Sequence, residues 1–130
     1  SSDVCSSDLF DVRVPGSSLE TIAEFSQATE DPNPIHVDPE FARRCGFPQV
    51  IQQGPMTTAH FGRLLAERFG SGNLLWLDVS FVAPVFPLEA LRLQARVTSV
   101  EAQALQLELS ATKEDGTVTA RGQAQVKVAQ

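Results

Sequence analysis

Three long segments in the second half of the chain alternate apolar and polar residues with a period of two, and this pattern constrains the fold more than any other feature. Leu91, Leu93, Ala95 and Val97 alternate with Arg92, Gln94, Arg96 and Thr98. Leu105, Leu107, Leu109 and Ala111 alternate with Gln106, Glu108, Ser110 and Thr112, and Val118, Ala120, Gly122, Ala124, Val126 and Val128 repeat the pattern. Successive side chains on a strand point to opposite faces, so these are half-buried strands with one apolar face each. The links Glu101-Ala102-Gln103 and Lys113 to Gly116 are short enough to make them consecutive antiparallel neighbours. Asn73 to Val82 predicts a further strand before Pro84, and Phe10 to Val14 a short first strand closed by Pro15-Gly16.

A sheet with one apolar face needs a cover. Met56, Ala59, Phe61, Leu64, Leu65, Ala66 and Phe69 occupy most of a helical circumference and leave a narrow polar stripe of His60, Arg63 and Glu67. That predicts a mostly buried helix over 56–69, stopped by Gly70. The economical arrangement is α+β, an antiparallel sheet wrapped around one central helix. A chain of 130 residues has room for one such domain, over 10–130, and can bury a sufficient core without disulfides or structural metal. Residues 1–9, SSDVCSSDL, repeat SSD and differ from all that follows, so they read as a disordered or foreign tail.

Ser17 and Glu20 have the spacing of a capping box, followed by Leu19, Ile22 and Ala23 on one face, which predicts a helix over 19–28. It stops near Asp31, because Pro32 and Pro34 lack donors and bias the residue before each toward extended geometry. Pro39 then opens a second short helix with Asp38 as its cap, running to Cys45-Gly46.

Ten basic residues against sixteen acidic ones leave a net charge of −6, which disfavours nucleic acid and anionic membrane as partners. The longest apolar stretch, Leu74 to Phe86, contains Asp78 and Pro84 and falls short of the ~20 residues a membrane helix needs. Cys5 and Cys45 form neither a CxxC pair nor a Cys/His cluster, so no metal site is expected. The same cysteine usage, with no leader-like N-terminus, fits a reducing, cytoplasmic compartment.

Between the two short helices, Asp31-Pro32-Asn33-Pro34-Ile35-His36 places a carboxylate, an amide and an imidazole on a backbone stiffened by two prolines. Groups that need no reordering lower a reaction barrier, and an Asp and a His sharing one water make an acid/base pair. The same residues also suit a plain turn, since Asp-Pro and Asn-Pro are common turn formers.

The stretch from Phe25 to Ala42, FSQATEDPNPIHVDPEFA, resembles the signature of MaoC-like hydratases, the R-specific enoyl-CoA hydratases, whose pattern reads Gly-Asp-x-Asn-Pro-x-His. Asp31, Asn33, Pro34 and His36 match it in order and spacing, and the similarity continues through Gly46-Phe47, Ile51, Gly54, the central helix and the strand before Pro84. The resemblance implies a hot-dog fold. It also implies reversible hydration of a trans-2-enoyl thioester, on CoA or acyl carrier protein, to an (R)-3-hydroxyacyl thioester, with no cofactor. Carried over by position, Asp31 and His36 are similar to the catalytic dyad, Asn33 to the asparagine that shapes its loop, and Gly54 to the glycine whose N–H receives the thioester oxygen. Gly54 lies just ahead of the central helix, where unpaired N–H groups and the positive dipole end face outward.

Two positions depart from the pattern: Glu30 stands where the family has Gly, and Gln53 where it often has His. A second carboxylate beside Asp31 either raises the pKa of one of the two or points to solvent. Arg43, Arg44 and Arg63 are candidates for the carrier's phosphate, or are solvated surface cations. His60 reads as a helix-face residue and Trp76 as core or dimer interface. A homodimer is expected, since one hot-dog unit leaves a sheet edge uncovered. Two other functions remain: a hot-dog thioesterase, for which Glu67 is the available carboxylate although it reads as an (i, i+4) partner of Arg63, and a non-catalytic thioester-binding subunit.

Overall fold

The computed structural model describes residues 4–128. Five strands form one sheet: β1 (Leu9–Val14), β2 (Leu74–Phe81), β3 (Leu91–Val100), β4 (Ala104–Lys113) and β5 (Val118–Lys127). Their order is β1-β3-β4-β5-β2, with every neighbouring pair antiparallel. Three helices precede β2: α1 (Leu19–Ala28), α2 (Pro39–Arg44) and α3 (Gly54–Phe69), with a single 3-10 turn over Pro34–His36.

The period-two segments bury the face expected of them. Leu91, Leu93, Ala95 and Val97 on β3, Leu105, Leu107, Leu109 and Ala111 on β4, and Ala120, Ala124 and Val126 on β5 form the core. Leucines face alanines across the strands, as in Leu93–Ala111, Ala95–Leu109 and Leu107–Ala124. The alternation of large and small residues leaves space into which α3 inserts Phe61 and Leu65, both fully buried. Between β4 and β5 a slip breaks the period: Ala111 pairs with Ala120 but Thr112 with Val118, so Thr119 bulges inward and is buried. Its Oγ1 donates to the Ala111 carbonyl at 3.3 Å.

Several expectations are corrected. The helix begins at Gly54, not Met56, and buries Met56, Thr57, Phe61 and Leu65 while Pro55, Ala59, Arg63, Glu67 and Arg68 are exposed. One sheet covers one side of a helix, so α3 is amphipathic in its setting and not mostly buried. The cap of α1 is Ser18, one residue later than the capping-box spacing suggests, and its Oγ accepts from Thr21 N–H at 3.1 Å. Ile22 and Ser26 are the buried residues of α1, whereas Leu19 is 60% exposed.

The expected tail is docked from Val4 onward. Val4 packs against the core, Ser7 N–H donates to the Val97 carbonyl at 2.7 Å, Val97 N–H donates to the Asp8 carbonyl at 2.8 Å, and β1 begins at Leu9. Backbone pairing with β3 holds this segment even though its side chains are mostly polar. Residues 1–3 of that expectation lie outside the described residues. Trp76 is not core: it is 41% exposed on the edge strand β2, and its Nε1 donates to Gln125 Oε1 at 3.1 Å. Among the described residues, no helix is long and apolar enough to cross a membrane.

Candidate active site

Side chains, not regular structure, shape the loop after α1. Glu30 adopts φ of +55°, which turns the chain out of the helix, and Asp31 N–H then donates to the Ser26 carbonyl at 2.9 Å. Asp31 Oδ1 accepts from Asn33 N–H at 3.0 Å, and Asn33 Oδ1 accepts from Ile35 N–H at 3.1 Å. These are two side-chain-capped turns in series, with Pro34 opening the 3-10 turn that ends at His36. Asp38 Oδ1 then caps α2 through Glu40 N–H and Phe41 N–H.

His36 is held from below. Its Nδ1 lies 2.7 Å from the Ile51 carbonyl oxygen, so the ring carries its proton there and donates it, while Ile51 N–H donates back to Ile35 O at 3.2 Å. Nε2 is left facing Asp31 Oδ2 at 3.5 Å. In the neutral ring Nε2 has a lone pair, and a carboxylate has only acceptors, so neither atom can donate to the other. A water placed before both can donate one hydrogen to each. The imidazole side chain is 11% exposed and the carboxylate 33%, so the pair opens to solvent mainly on the Asp31 side.

Gly54 is the first residue of α3, after the cap residue Gln53. Among the described residues no carbonyl takes its N–H, and Pro55 follows with no N–H at all. His36 and Gly54 line one cavity of about 310 Å3, walled by Phe47, Ile51, Phe81, Val82, Pro84 and Val85. Asp31 does not line it and meets it through His36. A Cβ on Gly54 would come within 2.7 Å of the Phe81 ring, so that ring occupies the space a side chain at this position would take. Thr57 and Thr119 also line this cavity and were not singled out from sequence; Thr119 reaches it only because of the β-bulge. A larger depression of about 610 Å3 lies on the polar outer face of the sheet, between Arg96, Glu108 and Arg121, and shares only Val82 with the first.

The candidate phosphate-binding arginines are not brought to the cavity. Arg43 and Arg44 are exposed in the last turn of α2, Arg44 lying 5.8 Å from the centre of the Phe41 ring. Arg63 is exposed on α3 and approaches His60 Nδ1 at 3.4 Å instead of pairing with Glu67. Burial first, and the Arg63 guanidinium second, lower the His60 pKa. Glu30 is exposed, so its carboxylate points to solvent.

A family model described as the MaoC like domain matches residues 11–119. The chain belongs to the MaoC-like domain family. This MaoC-like domain is 33% identical over 81 residues to the (R)-specific enoyl-CoA hydratase of Aeromonas caviae, covering 61% of this chain and 60% of that protein. It is 36% identical over 85 residues to 3-hydroxyacyl-thioester dehydratase Y of Mycobacterium tuberculosis, covering 62% of this chain and 29% of that protein. The domain thus aligns with less than two thirds of either curated relative. In three dimensions it matches the solved (R)-hydratase of A. caviae with a TM-score of 0.89 at 25% identity, over 99% of this chain and 100% of that one. A MaoC-like dehydratase matches at a TM-score of 0.90 and 19% identity, over 98% of this chain and 42% of that one, which shows the fold alone. The fold is the hot-dog fold expected from the resemblance.

Proposed function

We propose that this MaoC-like domain catalyses the reversible addition of water to a trans-2-enoyl thioester, on CoA or acyl carrier protein, giving an (R)-3-hydroxyacyl thioester. The observation that carries this reading is the 3.5 Å pair of Asp31 Oδ2 and His36 Nε2, fixed by the bond from Nδ1 to Ile51 O, beside a cavity that also receives the N-terminus of α3. Conjugation with the thioester makes C3 electrophilic. Asp31 and His36 hold one water by its hydrogens and take a proton as the oxygen attacks C3. The alkene electrons move toward the thioester oxygen, which the Gly54 N–H and the positive end of α3 stabilise. The pair then returns a proton to C2, and the reverse sequence expels water. The addition is redox-neutral. His36 can hold the proton in transit, because protonation at Nε2 turns that atom into a donor aimed at Asp31.

Asn33 contributes by capping the turn that carries His36. Arg43 and Arg44 are exposed on α2 outside the cavity and free to meet a carrier phosphate only beyond its lining. Arg63, engaged with His60, is the weakest of the three candidates. The edge strand β2 exposes Leu75 (52%), Trp76 (41%) and Phe81 (54%), Val82 (59%) follows it, and its outer backbone has no strand partner in the sheet order. A second copy pairing there would bury this apolar edge, which supports a homodimer. Glu67 is exposed and does not line the cavity, which weighs against the thioesterase reading.

Purified protein mixed with crotonyl-CoA tests the proposal. Loss of enoyl absorbance without thiol release supports hydration, thiol release would instead assign a thioesterase, and an inert protein would assign a binding subunit.

A further inference from the structure

The reaction above leaves Gln53 unused, although it is the most deeply buried polar side chain of the domain, at 1% exposure. Its Nε2 donates at 2.7 Å to the Ile22 carbonyl and at 2.7 Å to Ser26 Oγ, crossing 31 and 27 residues of sequence to reach α1. Ser26 is the residue whose carbonyl accepts from Asp31 N–H, at 2.9 Å. On its other side Gln53 is the cap residue of α3, one peptide bond from Gly54. Asp31, Ser26, Gln53 and Gly54 therefore form one continuous strut of two hydrogen bonds and a peptide link. Among the described residues Gln53 Oε1 has no hydrogen-bond partner. An apolar side chain of similar length would break both Nε2 bonds and disconnect α1 from the start of α3. The amide Nε2 uses both of its N–H donors on α1.

We infer that Gln53 is a positioning residue that, through Ser26, sets the separation between the Asp31–His36 pair and the Gly54 N–H. This rests on the hydratase reading proposed above. The C3–C2–C1–O unit of an enoyl thioester is planar and conjugated, so the water at C3 and the donor at the oxygen must be held at a fixed spacing. A displacement of about 1 Å can cost ~10²-fold in rate. Gln53 borders the cavity, but its amide Nε2 is committed to α1 behind the cavity wall, so loss of the strut falls on kcat more than on KM.

The test is crotonyl-CoA hydration by Gln53→Leu, Ser26→Ala, the double variant and Gln53→His, each shown by circular dichroism to be folded at the assay temperature. Gln53→Leu is expected to lower kcat roughly 10- to 100-fold with KM within about twofold. Ser26→Ala should lower kcat by a smaller factor, and the double variant should be no slower than Gln53→Leu, because both cut one strut. Gln53→His, which keeps a ring N–H donor, should recover part of the loss. If Gln53→Leu fails to fold, Ser26→Ala alone decides: a wild-type kcat in it overturns the inference. A wild-type kcat in Gln53→Leu, losses that multiply in the double variant, or no recovery in Gln53→His would each overturn it while leaving the hydratase reading intact. A wild-type protein that hydrates nothing sinks that reading and this inference together.

Discussion

His36 Nε2 faces Asp31 Oδ2 at 3.5 Å while the opposite ring nitrogen is committed to the Ile51 carbonyl at 2.7 Å. The tautomer is thus set from outside the pair, and in the neutral ring two acceptors lie side by side, facing a position from which one water can donate to both. Such an arrangement holds a water by its hydrogens and offers two bases of different strength to take one of them.

Replacing either base should remove proton transfer and leave the fold. Asp31→Asn retains a side-chain oxygen for Asn33 N–H, and His36→Ala leaves the Ile51–Ile35 backbone bond in place. Each is expected to lower turnover by several orders of magnitude with a melting temperature within a few degrees of the parent. Near-normal rates in either variant would remove the dyad assignment.

Glu30 tells a different story. It takes φ of +55°, a left-handed conformation that costs a side-chain-bearing residue about 1–2 kcal/mol relative to the helical one. Glycine adopts it freely but adds entropy to the unfolded chain worth about 0.4–1 kcal/mol. Glu30→Gly is therefore expected to stabilise the domain by about 0.5–1 kcal/mol, and Glu30→Val to destabilise it, since β-branching worsens the same clash. Urea denaturation of the three proteins should rank them Gly, Glu, Val; the reverse order of Gly and Glu would show that the turn is not strained.

Gly54 is constrained by a neighbour and not by its own dihedral angles. A Cβ there would lie 2.7 Å from the Phe81 ring, so in Gly54→Ala that ring must shift against the start of α3. Hydration should drop about 10²-fold, the scale of losing one well-placed oxyanion donor. Because the obstruction is the end of a side chain, Phe81→Ala in the same chain should recover much of the rate. Failure to recover would mean that alanine disturbs the N–H itself.

Much of the domain was legible because its signals are local. The strands over 91–97 and 105–111 keep strict alternation, and α1 is bounded by a serine cap and two prolines, so their ends fall within a few residues of expectation. The dyad loop was equally readable, since Asp31 and Asn33 each bond the backbone two residues on. What escaped depends on distant partners. Docking of Val4 to Asp8 rests on backbone pairing with Val97, which side-chain pattern does not report. Thr119 enters the cavity through a register slip that period counting skips over. Gln53 read only as a departure from a motif, because its partners Ile22 and Ser26 are 31 and 27 residues away.

His60 supplies a pH signature independent of catalysis. Burial and the Arg63 guanidinium both disfavour its imidazolium, so the folded chain binds this proton less readily than the unfolded chain does. Between the two pKa values the unfolded state carries more protons, and stability rises with pH across that window. The domain therefore has the full benefit of a neutral His60 above the ordinary value of 6.5 and loses stability as pH falls below it toward the lowered folded value. His60→Gln removes the titration while keeping a polar side chain on the half-buried face of α3. The melting temperature of the parent minus that of His60→Gln should fall as pH drops from 7 to 5, every other group being common to both proteins. A difference that stays flat, or grows toward acid, would show that the Arg63 contact does not persist in solution and that the ring is hydrated.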